Sequence, residues 1–409
     1  MTDRLYYHDS FLHEFNGEVV DVVPASAMNA RHGVVLDRTA FYPTSGGQVF
    51  DTGWLEAGAG TRLRVAQVEE VEDGRIVHYL EAEKAPEKGT RVRGVIDEER
   101  RLDHMQQHSG QHVLSAAFVR LFNMPTVSFH MGDEACSIDL DTPMLKPEQV
   151  ERAETLANQI IQENRPVAIK FVRQDEAQSL GLRKVPVVDK AELRLIDIAD
   201  FDLTACGGTH VQGTGQIGSI LLRKTERVRQ GWRVEFLCGM RAVRTARKDY
   251  TTLSEAAGLI STHIWDLPQQ IRKSLEDVKA ARKSGENLLE QLSEFEAAKI
   301  LTDTAASAGQ KVIVRVFADR DTLAIKLLAQ KLTRLEGNVV ALLGATQGTP
   351  SVVFAQSSGG AHNMGALLKE TLADLGGRGG GAKDFAQGGA PKAEGLEAAL
   401  QSVAKTLAA

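Results

Sequence analysis

The sequence predicts a multidomain α+β protein, and three observations support that prediction. A chain of 409 residues is longer than one hydrophobic core normally serves, so several domains are expected. Short β-rich runs occupy the first quarter of the chain, whereas a later charged segment has the three-four apolar spacing of amphipathic helices. Between them the two patterns alternate. The predicted parts are residues 1–95, 96–248, 249–303 and 304–409.

The first part, residues 1–95, is expected to form a small β-barrel. Runs rich in valine and leucine at 19–23, 33–36 and 62–65 have the composition of short strands. Glycine and charged residues such as those at 72–75 separate these runs as turns do. A closed or curled sheet accommodates this pattern.

The second part, residues 96–248, combines helices with strands. A helix is predicted to begin near Asp97 and to run through residue 118, and another covers 147–164. Strand-like segments lie between these helices and on both sides of Cys206. This order indicates an α+β domain with an antiparallel sheet.

The third part, residues 249–303, reads as helical. Pro268 follows Asp266 at a plausible helix start, and Gly285 interrupts the apolar rhythm. The segment is therefore either one long kinked helix or a hairpin that turns at Gly285, and the hairpin is favoured. The apolar positions would bury their stripe against a neighbour such as a second copy of the chain: Ile264, Leu267, Ile271, Leu275, Val278, Leu288, Leu292 and Phe295.

The fourth part, residues 304–409, alternates strand-like runs with helical ones, which is typical of a small α/β domain. Strands are expected near 312–316, 338–343 and 351–355, with a helix near 322–335. Glycine-rich stretches follow at 376–381 and 387–389.

Composition narrows the environment and the class of protein. The formal net charge of −6 argues against indiscriminate nucleic-acid binding. Three widely spaced cysteines, Cys136, Cys206 and Cys238, do not form a disulfide framework and indicate a reducing cytoplasm. The first residues do not resemble a signal segment, and no apolar stretch is long enough to span a bilayer.

Two motifs offer soft or borderline metal ligands at matching spacing. On a helix, residues four apart share one face, so His108 can pair with either His112 or His104, and spacing alone does not choose between them. Cys206 and His210 flank two glycines in a second motif. A thiolate with imidazoles suits Zn²⁺ better than a hard cation. The alternative for each motif is an ordinary buried histidine or thiol.

A third cluster is a polar turn that contains Thr39, Gly46, Gly47 and Gln48. Hydroxyls and an amide around a tight turn suit a pocket for a small polar group, although an ordinary barrel turn has the same composition.

A local basic strip lies between residues 223 and 248, where only Glu226 and Glu235 oppose nine basic side chains. Such a strip can steer a phosphate backbone, and the alternative is a solvated face. Its members are Arg223, Lys224, Arg227, Arg229, Arg233, Arg241, Arg244, Arg247 and Lys248.

Taken in order, the turn that ends at Gln48, the His108-x-x-x-His112 pair and the Cys206-Gly-Gly-Thr-His210 loop resemble the editing half of alanyl-tRNA synthetase. They also resemble the free-standing alanyl-tRNA editing proteins of the long AlaX type. The glycine-rich stretch near the C-terminus resembles the end of a DHHA1 domain. The resemblance implies an N-terminal barrel, an editing core, a helical dimerisation segment and a DHHA1-like domain.

The resemblance also implies a site and a reaction. It makes His108, His112, Cys206 and His210 the zinc ligands and the catalytic centre, with His104 as an extra histidine. The implied partner is mischarged tRNA(Ala), whose seryl or glycyl ester would be hydrolysed. We expect Gly46 and Gly47 in the substrate pocket, with Thr39 and Gln48 reading the hydroxyl of serine. Contacts to tRNA are expected from Arg223, Lys224, Arg227, Arg229, Arg233 and Arg378.

The resemblance further implies an editor that acts in trans, because no adenylating domain is expected before the barrel. A homodimer through residues 249–303 is the implied assembly. The rival hypothesis is a non-enzymatic tRNA-binding protein whose zinc is structural. His104, His130 and Cys238 are expected to be structural residues.

Overall fold

Two units make up the chain in the computed structural model, which describes residues 2–25, 29–58, 60–177, 179–183, 192–307 and 309–408. The first unit comprises Met1–Glu255 and the second Ala256–Ala409. This division into two units does not test the four parts predicted from the sequence, and their boundaries stay predictions.

A closed six-stranded barrel occupies the N-terminal part of the first unit. Its strands follow the order β2-β3-β7-β6-β5-β8, and valines, leucines and isoleucines that face inward form its core. A short parallel pair, β1 with β4, lies outside it. The strands of this region are β1 Asp3–Arg4, β2 Glu14–Val23, β3 His32–Leu36, β4 Arg38–Thr39, β5 Gly53–Ala57, β6 Thr61–Glu70, β7 Ile76–Glu81 and β8 Arg91–Ile96.

The rest of the first unit is built around a long, mostly buried helix, α1. Four antiparallel strands form one sheet in the order β14-β15-β10-β9, and β11, β12 and β13 form another. Both are antiparallel, as the sequence predicted. The elements are α1 Glu98–Phe122, β9 Thr126–Met131, β10 Cys136–Leu140, α2 Pro147–Gln162, β11 Val167–Arg173, α3 Gln174–Ala177, β12 Glu192–Ile198, β13 Asp202–Ala205, β14 Ile220–Val228, β15 Gly231–Cys238 and α4 Gly239–Leu259.

Helix α1 is fastened to the barrel by a fully buried ion pair. Arg101 near its start donates to the Asp51 carboxylate and, through Nη1, to the Ser10 carbonyl at 2.8 Å. The Ser10 hydroxyl in turn accepts the backbone N–H of His210 at 3.2 Å. Because a buried charge is tolerated only when it is paired and hydrogen-bonded, this network fixes the histidine-bearing helix against the barrel.

The second unit contains a long helix and a five-stranded sheet. The sheet order is β16-β17-β18-β20-β19, parallel only between β16 and β17. The C-terminal turns of α5 pack on α6 and the sheet through Ala297, Ile300 and Leu301. The elements are α5 Leu267–Asp303, β16 Lys311–Phe317, α6 Thr322–Leu335, β17 Val339–Ala345, β18 Ser351–Gln356, α7 Met364–Asp374, β19 Arg378–Gly381, β20 Phe385–Gly389 and α8 Leu396–Ala408.

The predicted α+β class, with its N-terminal barrel and C-terminal α/β region, is confirmed. The hairpin favoured at Gly285 is wrong, because α5 continues through this residue without a break. A Cβ at Gly285 would touch nothing within 4 Å, so this exposed position is tolerated within the helix. The helical segment is divided instead at 260–266, where Ser261 adopts a positive φ of 52°.

Among the residues described, no helix has both the length and the apolar character needed to cross a membrane.

Candidate metal centre

Four side chains from two distant segments meet at one point in the first unit. Their ligand atoms all lie within 4.8 Å of one another: His108, His112, Cys206 and His210. The Cys206 sulfur is 3.4 Å from His108 Nε2 and 3.3 Å from His210 Nε2. The two histidines of α1 stand one helical turn apart, and the loop after β13 brings the thiol and the third ring to the same helix face.

The neighbours of each ring fix its orientation. Gln48 Oε1 accepts the backbone N–H of Thr209 and lies 2.7 Å from His108 Nδ1, so the proton of His108 sits on Nδ1 and Nε2 is free to act as a ligand. His210 Nδ1 is hydrogen-bonded to the Ser109 hydroxyl at 3.2 Å. Partners of this kind at the second nitrogen are typical of metal-binding histidines.

The ring of His112 faces a carboxylate. Asp202 Oδ2 is 3.4 Å from His112 Nδ1, and Arg183 Nε lies 2.6 Å from the other carboxylate oxygen. Burial opposes ionisation of Asp202, but His112 and Arg183 outweigh it and lower the pKa of the carboxyl. Burial likewise opposes a charged His112, yet Asp202 and Cys206 raise its pKa above the ordinary value. The carboxylate and the imidazole therefore stabilise each other's charged forms.

The thiol of Cys206 is poised to ionise. Burial works against the thiolate, but the His108 and His210 rings overcome it and hold the pKa of Cys206 well below its usual range. Burial, followed by repulsion from His108, lowers the pKa of His210 strongly. A thiolate next to a neutral imidazole is the protonation state in which both residues bind metals.

Two glycines allow the close approach of these segments. A Cβ on Gly208 would lie 2.1 Å from Cε1 of His108, so only glycine lets the loop pass this ring. Gly47 has φ +85°, and a Cβ there would lie 2.6 Å from the Phe129 carbonyl oxygen. Gly208 and Gly47 are thus explained by the lack of space for a side chain beside His108 and Phe129.

A cavity of about 370 Å³ opens beside the cluster. Three of the four cluster residues, all except His210, are part of its wall. The aromatic ring of Phe129 stacks on His108 with centroids 5.5 Å apart and covers one side. The remaining lining residues are Gly46, Gln111, Thr126, Val127, Ser128, Arg183, Thr204 and Ala205.

The donor set fits zinc. Tetrahedral zinc with bonds of about 2.0–2.3 Å places neighbouring ligand atoms roughly 3.3–3.7 Å apart, and the sulfur–nitrogen distances of 3.3 and 3.4 Å agree with this spacing. Three imidazoles and one thiolate are the ligand types that zinc prefers. Among the described residues this is the one group of metal-ligating side chains that lie this close together.

Within the polar turn, Gln48 supports the cluster. Gln48 uses Oε1 for His108 and Thr209, and its Nε2 donates to the Thr209 hydroxyl at 2.8 Å. The Oε1 atom of Gln48 is therefore used in holding His108 and the loop, and one of its two amide N–H groups is used by Thr209. The prediction that Gln48 reads a substrate hydroxyl stays a prediction. Gly46 lies in the cavity wall, whereas Gly47 is not among its lining residues, and the prediction that both belong to a substrate pocket stays a prediction.

Thr39 lies inside the barrel. His78 Nδ1 is 3.1 Å from the Val34 carbonyl, which can only accept, so His78 Nε2 must accept the Thr39 proton at 2.8 Å. The Thr39 oxygen also accepts the Phe41 N–H at 3.1 Å, and the side chain is fully buried. These contacts do not support the prediction that Thr39 reads the substrate, because its only proton is used in the barrel core.

The remaining histidines and cysteines have separate surroundings. His104 is buried away from the cluster, and burial lowers its pKa to about 4. His130 is exposed on β9. Cys238 is fully buried, and its backbone N–H and carbonyl both bond to the Gln107 side chain. The structure therefore places His112, not His104, beside His108.

The predicted tRNA contacts differ in how free their charges are. Arg223, Lys224 and Arg233 form ion pairs with Asp249, Glu226 and Asp139, respectively. The exposed side chains of Arg227 and Arg229 form no ion pair with any described residue. Arg378 is exposed on the edge strand β19 of the second unit.

Sequence reasoning missed several supporting side chains, namely Ser109, Gln111, Phe129, Arg183, Thr204 and Asp202. A signal for some of them was present in α1, where residues 107–109 and 111–112 are all polar and all buried. Buried polar residues need partners, so such a run indicates a network rather than a plain core helix.

Comparison with known proteins identifies the family. The family described as "Threonyl and Alanyl tRNA synthetase second additional domain" matches residues 193–234, and "tRNA synthetases class II (A)" matches residues 4–100. The DHHA1 domain matches residues 309–409. The alanyl-tRNA editing protein AlaX-L of Pyrococcus horikoshii is 31% identical over 95% of this chain and 94% of its own. The chain belongs to the AlaX-L family of alanyl-tRNA editing proteins.

Alanine–tRNA ligases are related over a part of their length. The ligase of Pyrococcus abyssi is 33% identical over 99% of this chain, and that of Archaeoglobus fulgidus is 34% identical over 95%. The chain spans 44% and 42% of these two relatives, respectively. A solved C-Ala domain of Aquifex aeolicus alanyl-tRNA synthetase matches 26% of the chain and 98% of its own, with 21% identity and a TM-score of 0.25.

Proposed function

We propose that the chain hydrolyses the ester bond of mischarged tRNA(Ala), with seryl-tRNA(Ala) as its main substrate and glycyl-tRNA(Ala) as a second one. The observation that carries this proposal is the cavity of about 370 Å³ whose wall includes His108, His112 and Cys206. A small aminoacyl group in this cavity would have its ester beside the cluster. Membership of the AlaX-L family supports alanyl-tRNA editing as the reaction.

We infer that the four-residue cluster holds Zn²⁺. Bound zinc supplies Lewis acidity, which polarises an ester carbonyl or lowers the pKa of a water molecule. Gln48, Ser109 and Asp202 would keep the His108, His210 and His112 rings in position during turnover. Such preorganised support is what allows a site to act without rearranging at the moment of reaction.

The cavity wall would orient the acyl group and limit its size. Phe129 and Val127 provide apolar surface, and Ser128 and Thr204 add hydroxyl groups. A hydroxyl bound in a matching polar site discriminates strongly, since an analogue without it leaves a buried polar group unpaired, an effect of about 10⁴–10⁵ in favourable cases. This is the physical basis on which seryl esters would be cleaved and alanyl esters spared.

We further propose that the protein binds tRNA(Ala) through the basic strand pair β14–β15 and through Arg378, and that it acts in trans in the cytoplasm. Arg227 and Arg229 are the strongest candidates because their charges are not paired with any residue that the structure describes. Arg223, Lys224 and Arg233 would have to exchange carboxylate partners for phosphates.

We propose a homodimer through helix α5. Six apolar side chains along this helix are exposed by 46–78%: Ile271, Leu275, Val278, Leu288, Leu292 and Phe295. They form a long apolar stripe for a solvated helix.

Replacing Leu275 and Leu292 with lysine should convert the dimer to monomer in light scattering. The same change at exposed Ala280, outside the stripe, should leave the mass unchanged, and a monomeric parent protein would exclude the dimer.

The decisive experiment combines metal analysis with deacylation of seryl-, glycyl- and alanyl-tRNA(Ala). We expect about one zinc per chain and faster release of serine than of alanine. A protein that binds zinc and tRNA but releases neither serine nor glycine would instead be a binding module. Activity on small esters without tRNA would assign a different substrate class.

A further inference from the structure

Gln111 is a polar side chain of the cavity wall that is not one of the four metal-ligating residues. Gln111 lies three residues after His108 on α1, so the two side chains share a face of the helix. It is 7% exposed and lines the same cavity as His108 and His112. An amide at this position borders the space that the acyl group would occupy.

A chain of hydrogen bonds fixes the Gln111 amide. Its Nε2 donates to the Ser115 hydroxyl at 2.8 Å, and Ser115 Oγ lies 2.6 Å from the Thr126 hydroxyl. Ser115 is one helical turn further along α1 and is fully buried, and Thr126 is another residue of the cavity wall. One N–H of the amide is used by Ser115, and this bond fixes the plane of the amide and the position of its carbonyl oxygen Oε1.

The Oε1 atom accepts no hydrogen bond from the residues that the structure describes. This differs from Gln48 and Thr39, whose side-chain oxygens already accept hydrogen bonds inside the protein. A fixed acceptor can bind a hydroxyl proton, whereas it gains nothing from a methyl group. Gln111 thus offers a side-chain acceptor that no described residue already uses, unlike Gln48 and Thr39.

We propose that Gln111 determines specificity by accepting a hydrogen bond from the side-chain hydroxyl of the seryl group in the substrate. This inference rests on the proposed deacylation of tRNA(Ala). A methyl group at the same place would cover Oε1 without pairing it, which disfavours alanyl esters. A glycyl group has no side chain there, so its hydrolysis does not depend on Gln111.

The test is the ratio of seryl to glycyl deacylation, measured as kcat/KM in one preparation of the full-length protein. Gln111→Met keeps the length of the side chain and removes the acceptor. We expect it to lower seryl kcat/KM by about 10- to 100-fold, the effect of one buried hydrogen bond. Glycyl kcat/KM and zinc content should stay within about threefold of the parent values. Since both substrates are cleaved by the same active fraction, a partly folded preparation does not affect the ratio.

A matched control is Gln106→Met. Gln106 lies on the same helix but bonds to the Gln216 carbonyl at 2.9 Å and is not part of the cavity wall, so the ratio should not change. Ser115→Ala frees the Gln111 amide and should lower the ratio by less than Gln111→Met does. If Gln111→Met is inactive towards both substrates, the seryl-to-glycyl ratio of Ser115→Ala is the measurement that tests the proposal.

Three results would overturn the inference. An unchanged ratio in Gln111→Met excludes Gln111 as the reader of the hydroxyl. An equal loss with both substrates assigns Gln111 to the ester or the ammonium group, which the two substrates share. If Gln111→Met is inactive and Ser115→Ala keeps the parent ratio, the hydrogen-bond chain is not used in selection. Failure of the parent protein to cleave either substrate would instead reject the proposed function.

Discussion

Single residues decide whether the ligand loop can reach the helix. A Cβ added at Gly208 would lie 2.1 Å from His108 Cε1, which is too close for any side chain. A Cβ added at the adjacent Gly207 would only touch the Tyr7 hydroxyl at 3.4 Å. The two neighbouring glycines therefore have different functions. Gly208 is required because the neighbouring His108 ring cannot move without leaving the cluster. At Gly207 there is room for a side chain.

Gly208→Ala is predicted to displace His108 and to reduce zinc affinity and seryl-tRNA(Ala) deacylation by about 10- to 100-fold or more. The measurements are zinc content after dialysis and the rate of serine release. Gly207→Ala is the matched control and should keep both within about threefold. Normal zinc binding in Gly208→Ala would show that the loop can shift and that the short contact does not constrain it.

Thr39 gives a second prediction at this scale. Replacing it with valine removes the donor to His78 and the acceptor of the Phe41 N–H in a fully buried place. We expect Thr39→Val to lower the free energy of unfolding by about 1–3 kcal/mol in urea, with unchanged preference for serine over alanine. Thr252→Val, at an exposed position of α4, should change stability by less than about 0.5 kcal/mol. A loss of preference for serine at unchanged stability would restore Thr39 as a reader of the substrate.

At the scale of elements, the strand pair β14–β15 presents basic side chains of two kinds. The charges of Arg227 and Arg229 are unpaired within the described protein, whereas Lys224 is paired with Glu226. Binding of a phosphate to an unpaired cation releases counterions and needs no competing ion pair to be broken. The local pairing, not the count of basic residues, therefore predicts which side chains contribute to tRNA binding.

Replacing Arg227 and Arg229 with alanine should reduce the slope of log Kd for tRNA against log salt by roughly 1.4–1.8. The measurement is a filter-binding titration over a range of salt concentrations. Lys224→Ala is the control. We expect it to change the slope by much less than the roughly 0.7–0.9 that one phosphate contact contributes, because Glu226 already neutralises Lys224. An unchanged slope in the double variant would move the tRNA contact to another surface.

Elements also show where sequence reasoning succeeded. The start of α5 was predicted from Asp266 and Pro268, because a proline is well tolerated in the first helical turn. The prediction of a turn at Gly285 was wrong. One glycine in an exposed helix destabilises the helix by only about 1 kcal/mol and does not require a break. Helix ends have local chemical signals, whereas the continuation of a helix through a glycine depends on the neighbours that support it.

At the scale of the whole molecule, tertiary packing explains why the site was harder to predict than the fold. Spacing alone left both His104 and His112 as partners of His108, and the family resemblance was needed to choose between them. The distances within the cluster arise because Arg101 fastens α1 to the barrel and because strands β11–β13 deliver Cys206 to the same helix face. Such convergence of segments about a hundred residues apart is a property of tertiary packing and has no local signature. For the same reason the sequence did not reveal that Gln48 supports His108, nor that Gln111 faces the cavity.

The two units should respond differently to loss of metal. The cluster lies in Met1–Glu255, and no comparable group of ligands occurs among the described residues of Ala256–Ala409. A ligand that binds only the folded state stabilises it, by about 3–4 kcal/mol at 100 to 1,000 times its Kd. Chelation of zinc should therefore lower the melting temperature of the first unit by about 5–15 °C and leave that of the second unchanged in calorimetry. Leu328→Ala, in the buried core of the second unit, identifies the other transition because it should lower that one alone, by about 2–5 kcal/mol. If chelation moved the transition that Leu328→Ala moves, or moved neither, the stabilising metal would not be held by His108, His112, Cys206 and His210.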